Sequence, residues 1–138
     1  MFTILDDFPD DVLAISATGK IEARDYDEVL VPALEDKLRR HRPLKVFIWL
    51  GPGYAGIKAG AVVEDIRIGL HHLKDWGRIA VVTDAAGMRD MVNLMRMFLK
   101  RPLRVFFNAD YDEAKAWICM DEADAKARAL KVINAEGG

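Results

Sequence analysis

The chain has 138 residues, one domain's worth, and its 51% apolar and 30% charged residues form a globular mixture that excludes disorder. A formal net charge of −2 excludes a global basic field for nucleic acid, and a single cysteine, Cys119, excludes an intrachain disulfide. No apolar run reaches the ~18 residues of a membrane-spanning helix. The opening MFTILDDFPDD also lacks the basic start of a signal peptide, so a cytoplasmic location is the default expectation.

Taken in chain order, residues 2–6 (FTILD) and 11–18 (DVLAISAT) read as two strands joined by a turn at Pro9. Residues 24–41 follow a helical period through Tyr26, Val29, Leu30, Ala33, Leu34 and Leu38. Acids in the first turn and Arg39, Arg40 and His41 in the last complement the helix dipole. Pro32 interrupts the period, so a bend or break is expected near 28–32.

The runs LKVFIWL (44–50), RIAVVTD (78–84) and LRVFF (103–107) show no alternation, which is the pattern of parallel strands covered on both faces. Helices fall between them. Residues 62–75 are expected to turn Val62, Ile66, Leu70 and Leu73 inward. Residues 86–100 form another helix. Residues 110–120 form a third, with Asp110 as N-cap and Glu113 completing a capping box. The order β-β-α-β-α-β-α-β-α defines an α/β fold. The tail 121–138 is rich in helix formers and reads as a short extra helix.

Several stretches invite a chemical reading. Gly51, Gly53 and Gly56 spell G-x-G-x-x-G, the spacing of a dinucleotide-binding loop. That fingerprint belongs to a first βα turn, with the helix opening at once and an acid ~20 residues on. Here two strands and a helix precede the glycines, and Pro52 and Gly60 stretch the segment before the helical period begins. The nucleotide-binding lysine loop requires G-K-[ST], and Lys58 is followed by Ala59. The expectation is a flexible surface loop at the carboxyl end of a strand, a place where α/β proteins bind ligands.

In GMRDMVNLMRMFLKRPLRVFF (87–107), Met88, Met91, Val92, Leu94, Met95, Phe98 and Leu99 occupy an arc of about 160°. Arg89, Asn93, Arg96 and Lys100 line a neighbouring strip. One reading is an adaptable methionine surface for an acyl chain, a membrane surface or a partner helix; the other is an ordinary core-facing helix. His71 and His72 point about 100° apart and lack further ligands, so no metal or cofactor site is expected. His71 and Asp75 are spaced for a surface contact. The only serine, Ser16, lies in a strand, so no serine-hydrolase elbow exists. The basic run KLRRHRPLK (37–45) carries no interleaved aromatic platform, and no nucleic-acid partner is expected.

The ordered text GKIEARDYDEVLVPALE (19–35), LKVFIWL, RIAVVTD and FFNADYDEAKAWI (106–118) resembles the SpoIIAA-like family of STAS domains. The carrying features are G-K-I leading into a D-Y-x-x-V-x-P-x-L helix, and Glu113, Ala114, Trp117 and Ile118 in an E-A-x-x-W-I ending. The resemblance spans about residues 1–120 as one domain and leaves 121–138 as a tail. It implies a mixed sheet of four to five strands with four to five surrounding helices, and binding at loops instead of in a catalytic cleft. Sporulation-type relatives phosphorylate a serine in D-S-[ST]-G after the third strand. The corresponding GPGYAGIKAGAVVED has Tyr54 as its only hydroxyl, and no serine or threonine occurs between Thr18 and Thr83.

The function expected is therefore a non-enzymatic binding or regulatory module without that phosphoswitch. It would contact a protein partner or a small apolar or anionic ligand, with homo-oligomer formation and peripheral membrane contact also expected. An acyl-chain carrier with a pocket under helix 86–100 is the alternative. Candidate contact residues are Trp49, Gly53, Tyr54, Gly56, Lys58, Asp84, Met88, Arg89, Met91, Met95 and Arg96.

Overall fold

A computed structural model describes residues 1–72, 74–97 and 102–121, together with 124, 127 and 130. Five strands form one sheet in the order β1 (Phe2–Ile4), β2 (Val12–Ile21), β3 (Leu44–Ile57), β4 (Trp76–Thr83) and β5 (Leu103–Phe106). β1 runs antiparallel to β2, and every other pairing is parallel. The unalternated apolar runs thus are parallel strands, as their pattern requires.

Strand order equals chain order, so each crossover moves one place in the same direction. Right-handed crossovers then put all connecting helices on one face of the sheet. That face carries α1 (Ala23–Asp25), a π-helical turn (Tyr26–Leu30), α2 (Val31–Leu38), α3 (Ala59–His71) and α4 (Ala86–Met95). α5 (Tyr111–Cys119) is not a crossover and is free to cover the opposite face. The alternating side chains of β2 show the split. Leu13, Ile15 and Ala17 join the core beneath the crossovers, while Val12 and Ala14 join Phe47, Val82, Phe106, Trp117 and Ile118 beneath α5.

The bend expected at Pro32 takes the form of a π turn. Proline has no N–H to give, and its ring collides with the carbonyl four residues back. The ladder shifts by one residue ahead of it, with the Val31 N–H donating to the Tyr26 carbonyl, and Pro32 lies in the first turn of α2. The helix ends at Leu38, not at residue 41.

The glycine stretch is not a loop. β3 continues through it and stays paired with β2 as far as Ile57 opposite Ile21. From Ala17↔Leu50 to Ile21↔Ile57, β3 spends more residues than β2, and the surplus is absorbed in register shifts on either side of Gly19. Such bulges require backbone that side chains resist. Gly56 has φ +122° and Gly19 has φ +65°. Gly51 serves a different need, because a Cβ there would lie 2.9 Å from the Trp49 ring. Gly56→Ala is expected to cost ~1–3 kcal/mol by forcing an L side chain into that conformation. Urea unfolding checks this, and an unchanged midpoint would show that the bulge relaxes freely.

Other boundaries also move. β1 stops at Ile4, β2 runs on to Ile21, β4 begins at Trp76, and α3 opens at Ala59 directly behind the bulged strand. The inward face of α3 is Ala61 and Ile68, whereas Ile66 is 56% exposed. Gly60 faces α1, where an added Cβ would stand 3.9 Å from that of Ala23, at ordinary van der Waals contact. The Leu70 side chain and Leu73, also expected inward, lie outside the described residues, as do residues 98–101. A 3₁₀ turn, Asn108–Asp110, precedes α5. Asp110 therefore has φ −101° and ψ 22°, not the extended backbone of an N-cap, and its side chain makes no cap hydrogen bond. Of the tail, Asp121 is described, Asp124, Ala127 and Leu130 are helical, and the remainder lies outside the described residues.

Candidate functional site

The candidate residues fall into three neighbourhoods. The first is the bulged end of β3. Tyr54 sits opposite Gly19, half-buried against the crossover-side core, and burial pushes its hydroxyl up. Gly53 lies against the Thr18 methyl. Lys58 pairs with Glu22, which is also 3.0 Å from the Arg24 Nε. The hydrogen bond from Lys58 holds the Glu22 carboxyl below its ordinary range. The lysine that follows the glycines is thus engaged by a carboxylate of its own chain.

The second neighbourhood is the carboxyl rim of β3, β4 and β5. Trp49 donates from Nε1 to the Asn108 side-chain oxygen at 3.2 Å, and the Asn108 N–H donates to Asp84 Oδ1 at 2.8 Å. Arg89 donates to the Thr83 carbonyl at 3.1 Å, and its guanidinium stands 3.6 Å over the Phe107 ring. The Ala85 N–H closes the turn on the Thr83 hydroxyl at 3.1 Å. Trp49, Asp84 and Arg89 are therefore spent on ordering the turns between strand and helix. Sequence reasoning missed Asn108, which joins two of them. Its only signal was an Asn-Ala-Asp step directly after the β5 run.

The third neighbourhood is α4. Val92 is its buried residue and Met88 packs beside it on the core. Met91, Leu94 and Met95 are turned outward with exposures of 39%, 58% and 42%, and Met97 follows at 78%. Phe107 is also exposed. Arg96 is exposed and reaches the Asn93 side chain at 3.5 Å. Among the described residues of this face, Met88 and Val92 meet the core and Met91, Leu94 and Met95 face outward. Phe98, Leu99 and Lys100 lie outside the described residues.

The remaining sequence candidates are absorbed by structural contacts. Lys37, Arg40 and His41 converge on Asp10, with Arg40 at 2.5 Å and His41 at 2.6 Å. Hydrogen bonds from His41 and Arg40 hold the Asp10 carboxyl at about 2. Asp75 contacts His72 at 3.0 Å, not His71, and Arg42 at 2.9 Å, because α3 ends at His71 and the following turn swings His72 over. The Cys119 thiol is pushed up by burial, which disfavours a reactive thiolate. Among the described residues no group of three His, Cys, Asp or Glu is placed to hold a metal ion. No described helix is long and apolar enough to cross a membrane.

A five-stranded mixed sheet with one antiparallel edge, crossovers on one face and a closing helix on the other defines a STAS-like α/β fold. Residues 12–119 match the SpoIIAA-like family, and the chain belongs to it. It is similar in structure to an uncharacterized protein of the DUF3478 family with a SpoIIAA-like fold from Shewanella loihica PV-4. That likeness has a TM-score of 0.71 at 24% identity and covers 86% of this chain and 94% of the other. No curated protein matches the chain.

Proposed function

We propose that this chain is a non-enzymatic binding module that docks a protein partner on the outward face of α4. The observation that carries the reading is the exposed apolar set Met91, Leu94, Met95 and Met97, with Phe107 just after β5 also exposed. Met91, Leu94 and Met95 are neighbours at helical spacing, and grouped exposed apolar side chains mark an interaction site. Methionine suits such a face, since its unbranched side chain adapts to different partners. The rim polar groups are already bonded to one another, which favours contact over chemistry.

The acyl-carrier alternative needs room between α4 and the sheet. That side of α4 holds Val92 and Met88, packed on the core, so the apolar surplus points outward. Site-specific photocrosslinking tests the reading. A photoreactive residue at position 94 is expected to give a discrete adduct in the cells that make the protein, and one at the exposed position 35 on α2 is expected to give none. Equal labelling at both positions, or a small hydrophobic adduct at 94, would refute the protein-docking role.

A further inference from the structure

A second helix besides α4 leaves apolar side chains in solvent. Met120 is extended, and its carbonyl accepts from Lys45 at 3.2 Å and from Arg78, near the amino ends of β3 and β4. Asp121 then accepts from the Asp124 N–H at 2.8 Å, the bond of an N-cap, and Asp124, Ala127 and Leu130 are helical. Ala127 is exposed, and Leu130 is 59% exposed. This helix is out of reach of α4 on its own chain. α5 covers one face of the sheet and α4 the other, roughly 20 Å apart through two packing layers. The extended link Met120–Asp121 spans only ~7 Å.

The two exposed strips match in spacing and in charge. On α4, Asp90 directly precedes Met91, with Leu94 and Met97 following at steps of three, and all four are exposed. In the tail sequence, Lys126 directly precedes Ala127, with Leu130 and Ile133 following at the same steps. Among the described residues no cation pairs with Asp90, so the α4 strip carries an acid that its own domain leaves to solvent. The tail strip offers a base at the matching place. Two helices laid side by side and parallel in this register set Lys126 against Asp90 and Leu130 against Leu94. We propose, resting on α4 as the docking face, that its partner is a second copy of this chain, which lays its C-terminal helix there and receives the same in return. A two-fold exchange covers both strips at once and closes the assembly, because every contact occurs twice.

Cross-linking between full-length chains tests this, with Cys119→Ser as the background. Leu94→Cys and Leu130→Cys are placed in separate chains with different tags, mixed and mildly oxidised. A disulfide joining the two tags is expected, and Glu35→Cys mixed with Leu130→Cys is expected to give none. In sedimentation, Asp90→Lys is expected to weaken the dimer about tenfold, since each contact occurs twice, and Lys126→Asp in the same chain is expected to restore it. A dimer lost with Leu94→Glu that survives Leu130→Glu would overturn the role of the tail and leave α4 a docking face. So would a complex at α4 with a different protein. A link confined to single chains when one chain carries both cysteines would overturn the exchange. A bare monomer as purified and at every concentration would sink the exchange and the docking face together.

Discussion

Phe47→Ala is expected to destabilise the domain by about 3–5 kcal/mol, the usual cost of emptying a fully buried aromatic site. Phe47 is completely buried at the middle of β3, on the face that α5 covers. Its ring meets Phe8 at 4.7 Å and stands edge-on to Tyr111 at 5.4 Å between centroids. Tyr111 in turn packs on Trp49. Removing Phe47 therefore empties a site shared by the β1–β2 turn, the start of α5 and the rim. Domains of this size are stable by ~5–15 kcal/mol, so the loss approaches the whole margin. Urea unfolding of Phe47→Ala beside Phe47→Leu separates volume from shape. A loss below about 1 kcal/mol for alanine would show that this face collapses around the gap and that the core was wrongly placed.

Arg78→Met is expected to cost ~2–4 kcal/mol, through a different mechanism. Arg78 is 2% exposed on β4 and donates to the backbone carbonyls of Trp117, at 3.1 Å, and Met120. Lys45, also buried, donates to the same Met120 carbonyl at 3.2 Å and pairs with Asp11 at 3.0 Å. These carbonyls are the unsatisfied end of α5, where positive charge is favourable. Without Arg78 the Trp117 carbonyl loses this donor and Met120 keeps only Lys45, and a buried carbonyl left without a donor costs about 1–3 kcal/mol. Methionine keeps the stem volume and removes the donors, the charge at the helix end and the guanidinium that stands 5.7 Å from the Trp117 ring centroid. The loss is expected to fall on α5: amides of residues 114–119 exchange faster relative to β2 and β3, beyond the global change. Uniform exchange across the domain would mean that Arg78 acts as filler and not as a cap.

How much of this was legible in the sequence depends on which force decides each element. The three apolar runs gave the parallel strands because burial on both faces leaves no polar position to break the run. The Pro32 interruption gave the irregular turn because a missing N–H is a local fact. The glycine stretch misled, since glycine marks both loops and bulged strand. Only the pairing partner decides, and Gly19 lies more than thirty residues earlier in the chain. α3 misled for a related reason. Its bulkiest apolar stripe looked like the core face, but the helix buries Ala61 and Ile68 on another side and leaves Ile66 exposed, and spacing alone does not say which side meets the sheet. The basic run 37–45 and the two histidines hid their partners, because Asp10 and Asp75 are supplied by turns whose positions only the fold fixes. The methionine arc was visible from helical spacing, but its direction was not. An amphipathic pattern says which residues share a face and does not say whether that face meets the sheet or the solvent.

Native mass spectrometry of the protein as purified from its producing cells tests α4 as a contact surface most directly. The wild type is expected to carry a bound protein chain, either a second copy or another protein. Leu94→Glu with Met95→Glu is expected to abolish that species while leaving the thermal midpoint unchanged, since both side chains already lie in solvent. A wild type that flies as a bare monomer, or a complex that survives both glutamates, would contradict it.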